Sequence, residues 1–170
     1  MSAVAKPPPA FEGSFAEYRY ALGRFPTGVA FVAARAPNGD AAGLLINSFT
    51  SVSLNPPLVG WCLAVGSRSR AVFTCALSFA VSVLSEDQKE LLEALGRPLE
   101  ERLSGLPIRE GLEGAPILQG AAAVFECRTF SISRAGDHDL VLGFVEKFDT
   151  GSQAPLAYLS GRFGCVTIPA

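Results

Sequence analysis

The sequence predicts a mainly β fold, an antiparallel barrel with short helices. Three observations point there. Short apolar or β-branched runs recur between Gly, Pro and Asn breaks, giving about seven or eight strands against two or three short helices. The regular alternation of strand and long helix that a doubly wound parallel sheet requires is missing. At 170 residues and 49% hydrophobic, the chain can bury one substantial core.

The elements follow in order. Ser14 can cap a short helix through Arg24, with Phe15, Tyr18, Leu22 and Phe25 near one face. Pro26-Thr27-Gly28 breaks it, and Val29 to Arg35 reads as a strand. Pro37-Asn38-Gly39-Asp40 is a turn, because Asn-Gly accepts positive φ readily. Gly43 to Thr50 then returns as the partner strand of a hairpin. Leu58 to Val65 is a third strand, set between Pro56-Pro57 and Gly66-Ser67. Arg70 to Ala76 gives a helical turn before the β-branched strand Phe79 to Leu84. Ser85-Glu86-Asp87-Gln88 combines a hydroxyl cap with first-turn acids, so a helix starts there and stops at Gly96. Leu99 to Leu103 forms another helical turn, and Pro107 to Gly114 is a loop. Ala121 to Ser133 and Asp139 to Phe148 pair as long strands. Leu156 to Leu159 and Phe163 to Ile168 close the set. Residues 1–13 are expected to be a flexible N-terminal arm, and 14–170 a single domain.

Composition removes several classes of function. Charged residues are 18% and the formal net charge is −2, so nothing favours nucleic acid or an anionic membrane surface. No apolar run approaches the roughly 18 residues of a spanning helix. The N-terminal stretch lacks the apolar core of a signal peptide, and the expected location is cytoplasmic. A positive mean hydropathy hints at apolar surface buried between subunits. Cys62, Cys75, Cys127 and Cys165 have no Cys-x-x-Cys spacing and read as reduced core thiols, with no metal site expected.

The densest chemistry lies between Ile46 and Val59. Asn47, Ser48, Thr50, Ser51 and Ser53 supply donors and acceptors without any charge, which suits a neutral, flat, hydrogen-bonding ligand. Ser67-Arg68-Ser69 then offers one positive charge flanked by hydroxyls, a grip for phosphate. A polar ring with a phosphate tail describes a flavin nucleotide.

The order of motifs carries a resemblance. Arg24-Phe25-Pro26-Thr27-Gly28-Val29 leads into Asn47 to Val59, then Ser67-Arg68-Ser69. Phe79 to Gln88 follows, then Gly114-Ala115-Pro116, Gly136-Asp137-His138 and Gly161-Arg162-Phe163-Gly164. In this order and spacing, over Phe15 to Val166, the chain resembles the flavin reductase-like family, the short reductase components of two-component flavin monooxygenases. The resemblance implies a split β-barrel with a Greek-key core, of the FMN-binding type, and a homodimer holding FMN or FAD near the subunit boundary. It implies NADH- or NADPH-dependent reduction of that flavin, with release to a partner monooxygenase.

Residues carry over by position. Leu45, Ile46, Asn47 and Ser48 match the stretch lining the ring, and Thr50 and Ser51 match hydroxyls near the ribityl chain and phosphate. Trp61, Cys62 and Leu63 match the strand alongside the ring. Ser67, Arg68 and Ser69 match the phosphate segment, Phe163 a nicotinamide shelf, and His138 the catalytic histidine near the ring and nicotinamide. Each has a plainer reading beside it. His138 can be a turn residue bonded to Asp137, Trp61 a core residue, Arg68 a solvated charge, Phe163 a packing residue. Ser48 and Ser51 can cap turns.

The chain also departs from the family pattern. Leu45 and Ile46 replace a small polar pair, Arg97 to Gly111 has neither Phe nor Trp, and Asp139 places an acid after the histidine. Hydride transfer needs no protein nucleophile, only two rings held in contact along the transfer axis. No Gly-x-Gly-x-x-Gly fingerprint is present, so no Rossmann nicotinamide domain is expected. The rival reading is a flavoprotein on the same barrel that keeps its flavin as an electron carrier or sensor.

Overall fold

The computed structural model describes residues 11–167, in which strand residues outnumber helical ones. In chain order, helix α1 (Phe15–Leu22) precedes β1 (Thr27–Gly28), β2 (Ala30–Arg35), β3 (Ala41–Ile46), β4 (Thr50–Leu54) and β5 (Pro57–Ala64). Helix α2 (Arg70–Cys75) and β6 (Ser78–Val83) follow. A 3-10 segment (Glu86–Leu91) then runs into α3 (Leu92–Leu95) and α4 (Leu99–Arg102). The hairpin β7 (Ile108–Glu110) and β8 (Pro116–Leu118) leads to the long pair β9 (Ala123–Ala135) and β10 (His138–Thr150), then β11 (Leu156–Leu159) and β12 (Arg162–Cys165). The expected arm lies outside the described residues over its first ten positions, as does the expected strand end at Ile168.

Seven strands form one antiparallel sheet in the order β3-β2-β6-β9-β10-β5-β4. Its two edge strands are consecutive in the chain, joined only by Asn47, Ser48 and Phe49. A flat sheet would separate those edges by about 29 Å, six spacings of about 4.8 Å. Four Cα–Cα steps reach at most about 15 Å. The sheet is therefore strongly curled, with its edges drawn toward each other.

Curling divides the alternating side chains into an inside and an outside. Ala30, Val32 and Ala34 of β2 join Trp61, Leu63, Phe79, Val81, Cys127 and Val141 in the interior cluster. Trp61 meets Phe73 and Phe79 edge-on, at ring-centroid distances of 4.9 and 5.9 Å. Val29, Phe31 and Ala33, on the opposite face of the same stretch, pack under Leu84, Leu95, Leu106, Leu118 and Leu156. Both faces of β2 are buried, which accounts for its unbroken apolar run. Gly143 marks a close approach inside the sheet. A Cβ there would lie 2.4 Å from Phe79 Cζ and 2.8 Å from Cys127 Cβ, so only glycine fits.

Several sequence expectations are corrected. The single strand expected from Gly43 to Thr50 is two, broken at the link, because the chain changes sheet edge there. The loop expected from Pro107 to Gly114 contains β7, which pairs Ile108 with Leu118. Ser14 does cap α1, accepting from the Glu17 N–H at 3.4 Å. Yet α1 buries none of its side chains; Phe15 is 68% and Tyr20 70% exposed. The Ser85 cap holds, with Gln88 Oε1 accepting the Ser85 N–H at 3.1 Å, although the first turns are 3-10. Of the four free thiols only Cys127 is buried, and burial pushes its pKa up to about 12, with Glu126 adding to the shift. Cys62, Cys75 and Cys165 are exposed, which corrects their reading as core thiols.

Among the described residues, no helix is long and apolar enough to cross a membrane.

Candidate functional site

The three-residue link between the sheet edges shapes the candidate site. Phe49 turns inward to meet Phe125, with ring centroids 5.4 Å apart, and packs on the interior cluster. Ser48 is half-buried, and its Oγ accepts the Cys62 N–H at 3.0 Å, tying the link to β5. Asn47 stays exposed. Anchoring by Phe49 and Ser48 thus leaves the Asn47 amide facing outward at a fixed place.

Around that residue three depressions meet. A cleft of about 270 Å³ is lined by Leu45, Ile46, Asn47, Ser48, Cys62, Ser67 and His138, with Leu44 and Ala64. A second, of about 200 Å³, shares Leu45, Ile46 and Asn47 and adds Val29, Tyr158 and Phe163. A third, of about 490 Å³, shares Asn47 and Tyr158 and extends between α1 and the β11–β12 turn, past Arg19, Tyr20, Phe25, Thr27 and Ser160. Among the described residues no carboxylate lines any of the three. An anionic ligand therefore meets no opposing carboxylate in their lining.

His138 begins β10 and stands opposite Ala64 of β5 in the ladder, which brings it to the Cys62 and Ser67 side of the cleft. Its Nδ1 lies 2.8 Å from Asp137 Oδ1, so Nε2 is the ring nitrogen left for a ligand. The hydrogen bond from His138, followed by its charge, holds the Asp137 carboxyl below the usual carboxylate range. The Asp137 bond of the plain reading is present, with His138 as the first residue of β10 and not in the turn, and the residue also borders the cleft. Next to it, Asp139 is only 3% exposed. The Arg70 hydrogen bond lowers its pKa against the opposing pull of desolvation, and the Arg70 charge and Arg134 add to the lowering.

Hydroxyl geometry adds donors to this wall. Ser67 Oγ accepts the Ser69 N–H at 3.2 Å, as Ser48 Oγ accepts from Cys62. Each hydroxyl spends a lone pair on the backbone and keeps its O–H to donate. The structure thus joins Leu45, Ile46, Asn47, Ser48, Cys62, Ser67 and His138 in one cleft, with Phe163 in the adjoining depression beside Tyr158 at 5.2 Å.

Other expected residues fall elsewhere. Trp61 and Leu63 are fully buried in the interior, so their side chains cannot lie alongside a ring; alternation leaves only Cys62 of that trio facing out. Ser69 is 2% exposed and likewise cannot offer its hydroxyl. Thr50 and Ser51 are exposed on edge strand β4, where Thr50 Oγ1 donates to the Ser51 carbonyl at 3.2 Å, and neither borders the depressions. Arg68 is exposed in the loop beside Ser67. Sequence reasoning missed Tyr158 and Thr27. Thr27 lay within the Arg24 to Val29 motif and so had a signal, whereas Tyr158 reaches the site only by pairing across β1 and β12. Among the described residues no cluster of three or more His, Cys, Asp or Glu is placed to hold a metal ion.

The fold is a curled antiparallel sheet with an amide- and hydroxyl-bearing cleft at the link between its edges, and comparison with known proteins gives the family. The profile described as flavin reductase like domain matches residues 22–167, and the chain belongs to that family. It is 38% identical over 152 residues to the stachydrine N-demethylase reductase subunit Stc3 of Rhizobium meliloti (strain 1021), covering 89% of this chain and 66% of Stc3. It is 40% identical over 147 residues to the FMN reductase (NADH) SmoA of Agrobacterium fabrum, covering 86% of this chain and 83% of SmoA. Among solved structures, the NADH:FAD oxidoreductase SgcE6 of Streptomyces globisporus superposes with a TM-score of 0.85 at 30% identity, covering 98% of this chain and 97% of that one. Against some other curated relatives the chain spans about half their length.

Proposed function

We propose that this chain is an NAD(P)H-dependent flavin oxidoreductase that reduces FMN or FAD and passes the reduced flavin to a partner monooxygenase. The observation that carries this reading is the carboxylate-free cleft at Asn47, bounded by Ser48, Ser67 and His138. The donor set fits the cofactor. Asn47 and the free O–H groups of Ser48 and Ser67 suit the polar edge of a neutral ring, while Leu45 and Ile46 suit its apolar face. Thr27 Oγ1, buried without a hydrogen-bond partner at the adjoining depression, is a further group awaiting an acceptor or donor. Cys62 lines the ring wall, and Arg68 beside Ser67 supports a phosphate.

When bound, the flavin supplies the ring that takes up the hydride brought by the nicotinamide. The protein's own work is placement. The Asn47 link sets one edge, the leucine and isoleucine of β3 exclude water from a face, and His138 presents Nε2 where a nicotinamide amide or a flavin edge can accept or give a hydrogen bond. Phe163 with Tyr158 offers an aromatic shelf in the adjoining depression.

The same reading completes the fold. The seven-stranded sheet is a split barrel of Greek-key order, supported by the short link between its edges. The unit is a homodimer, supported by the apolar groups it leaves uncovered, among them Leu54 at 94% and Phe25 at 76% exposure. Its place is the cytoplasm, where four free thiols remain reduced.

The test is an NADH and NADPH oxidation assay, followed by absorbance, with and without added FMN or FAD. Oxidation only when free flavin is supplied, with the purified protein colourless, is the expected result. Flavin retained through gel filtration without turnover would make the protein a fixed carrier, and no flavin affinity at all would sink the reading.

A further inference from the structure

Residue Asp139 follows His138 and is turned inward opposite Leu63, at the mouth of the curled sheet. A covered carboxylate is tolerated only when paired. Arg70 Nε donates to Asp139 Oδ2 at 2.7 Å, and Arg134 Nη1 lies 3.5 Å from Oδ1. The two arginines come from different elements. Arg70 opens α2, directly after Ser67-Arg68-Ser69, whereas Arg134 lies near the end of β9. Arg134 Nε also donates to the Gly136 carbonyl at 2.7 Å, closing the turn that leads to His138. The Val65 N–H bonds the Asp137 carbonyl at 3.0 Å, joining that turn to the strand entering the Ser67 loop.

We propose that Asp139 is a positioning residue, holding the His138 turn against the Ser67 loop through Arg70 and Arg134, so that the imidazole meets the reacting rings in one orientation. This rests on the flavin-reducing reading above. Both arginines are partly exposed, with side chains 40% and 55% accessible, while the Asp139 side chain is 4% accessible, so each arginine also keeps a covered carboxylate compensated. What the clamp supplies is geometry. Hydride transfer responds steeply to small misplacements, so loosening one turn is felt in rate before it is felt in folding or flavin affinity.

The chain has one histidine, so the imidazole nitrogen resonances report His138 alone. In flavin-free protein, Asp139→Asn and Arg70→Met should both shift those resonances toward a mixture of tautomers, and Arg70→Lys should restore much of the native pattern. In rapid mixing with NADH, Asp139→Asn should slow hydride transfer about tenfold while flavin affinity moves by less than about twofold. In a His138→Ala background the same change should have no further effect. An imidazole spectrum unmoved by either Asp139→Asn or Arg70→Met overturns the proposal, as does a rate loss of equal size with and without His138. Should Asp139→Asn fail to fold, Arg70→Met carries both measurements. A wild-type protein that reduces no flavin, while its imidazole still responds to these changes, overturns the functional reading and supports the clamp.

Discussion

The two ends of the trough that meets at Asn47 are built on different terms. At the His138 end every wall is a ladder strand or is tied to one. His138 pairs opposite Ala64 and Ala135, Ser48 is bonded to Cys62, and Asp139 gathers two arginines. At the α1 end the larger depression is bordered by a helix that buries no side chain, and its contact with the rest includes Ser160 bonding the Gly23 carbonyl. Backbone ladders fix the chemistry-bearing end, while the α1 end leaves aromatic side chains such as Phe15, Tyr20 and Phe25 exposed.

The largest effect expected from breaking this contrast is at its rigid end. His138→Ala should lower turnover with NADH about 100-fold and leave flavin affinity nearly intact, read by steady-state rates beside a fluorescence titration. Equal losses in both would remove its role toward the nicotinamide. Next comes the loop beside that wall. Arg68→Ala should weaken flavin binding by about 1.5–3 kcal/mol if the guanidinium makes a charge-assisted phosphate contact. An unchanged titration would return Arg68 to a solvated surface charge. The smallest chemical effect belongs to the α1 end. Phe25→Glu should shift the protein toward monomer in light scattering while the His138 imidazole spectrum stays as in wild type. A dimer of unaltered strength would mean that the partner surface lies elsewhere, for instance around Leu54.

How much was legible beforehand depended on the range of the cause. The caps at Ser14 and Ser85 and the Asn38-Gly39 turn could be read because their physics is local, a side chain satisfying a backbone group two or three residues away. Asn47, Ser48, Cys62, Ser67 and His138 were legible as a set because they are held in fixed order along the chain, and the structure does bring them to one cleft. For Trp61 and Leu63 the motif names a strand without naming its faces; the interior claims both bulky side chains, as the core reading of Trp61 has it. Thr50 and Ser51 stand on edge strand β4, away from the three depressions, for a related reason. The chain switches sheet edge just before them, and no local pattern announces a switch whose cause is the curl of seven strands.

By itself the sequence determined a β-rich chain, its turns and caps, and the uncharged residues from which a ring site can be made. Those follow from torsional preference and short-range hydrogen bonding. Tertiary structure alone decided which faces turn inward, that Tyr158 borders the trough, and that Arg70 and Arg134 converge on Asp139. The Tyr158–Thr27 and Arg70–Asp139 contacts join residues dozens of positions apart, and they exist only once strand pairing and core burial have brought the two walls together.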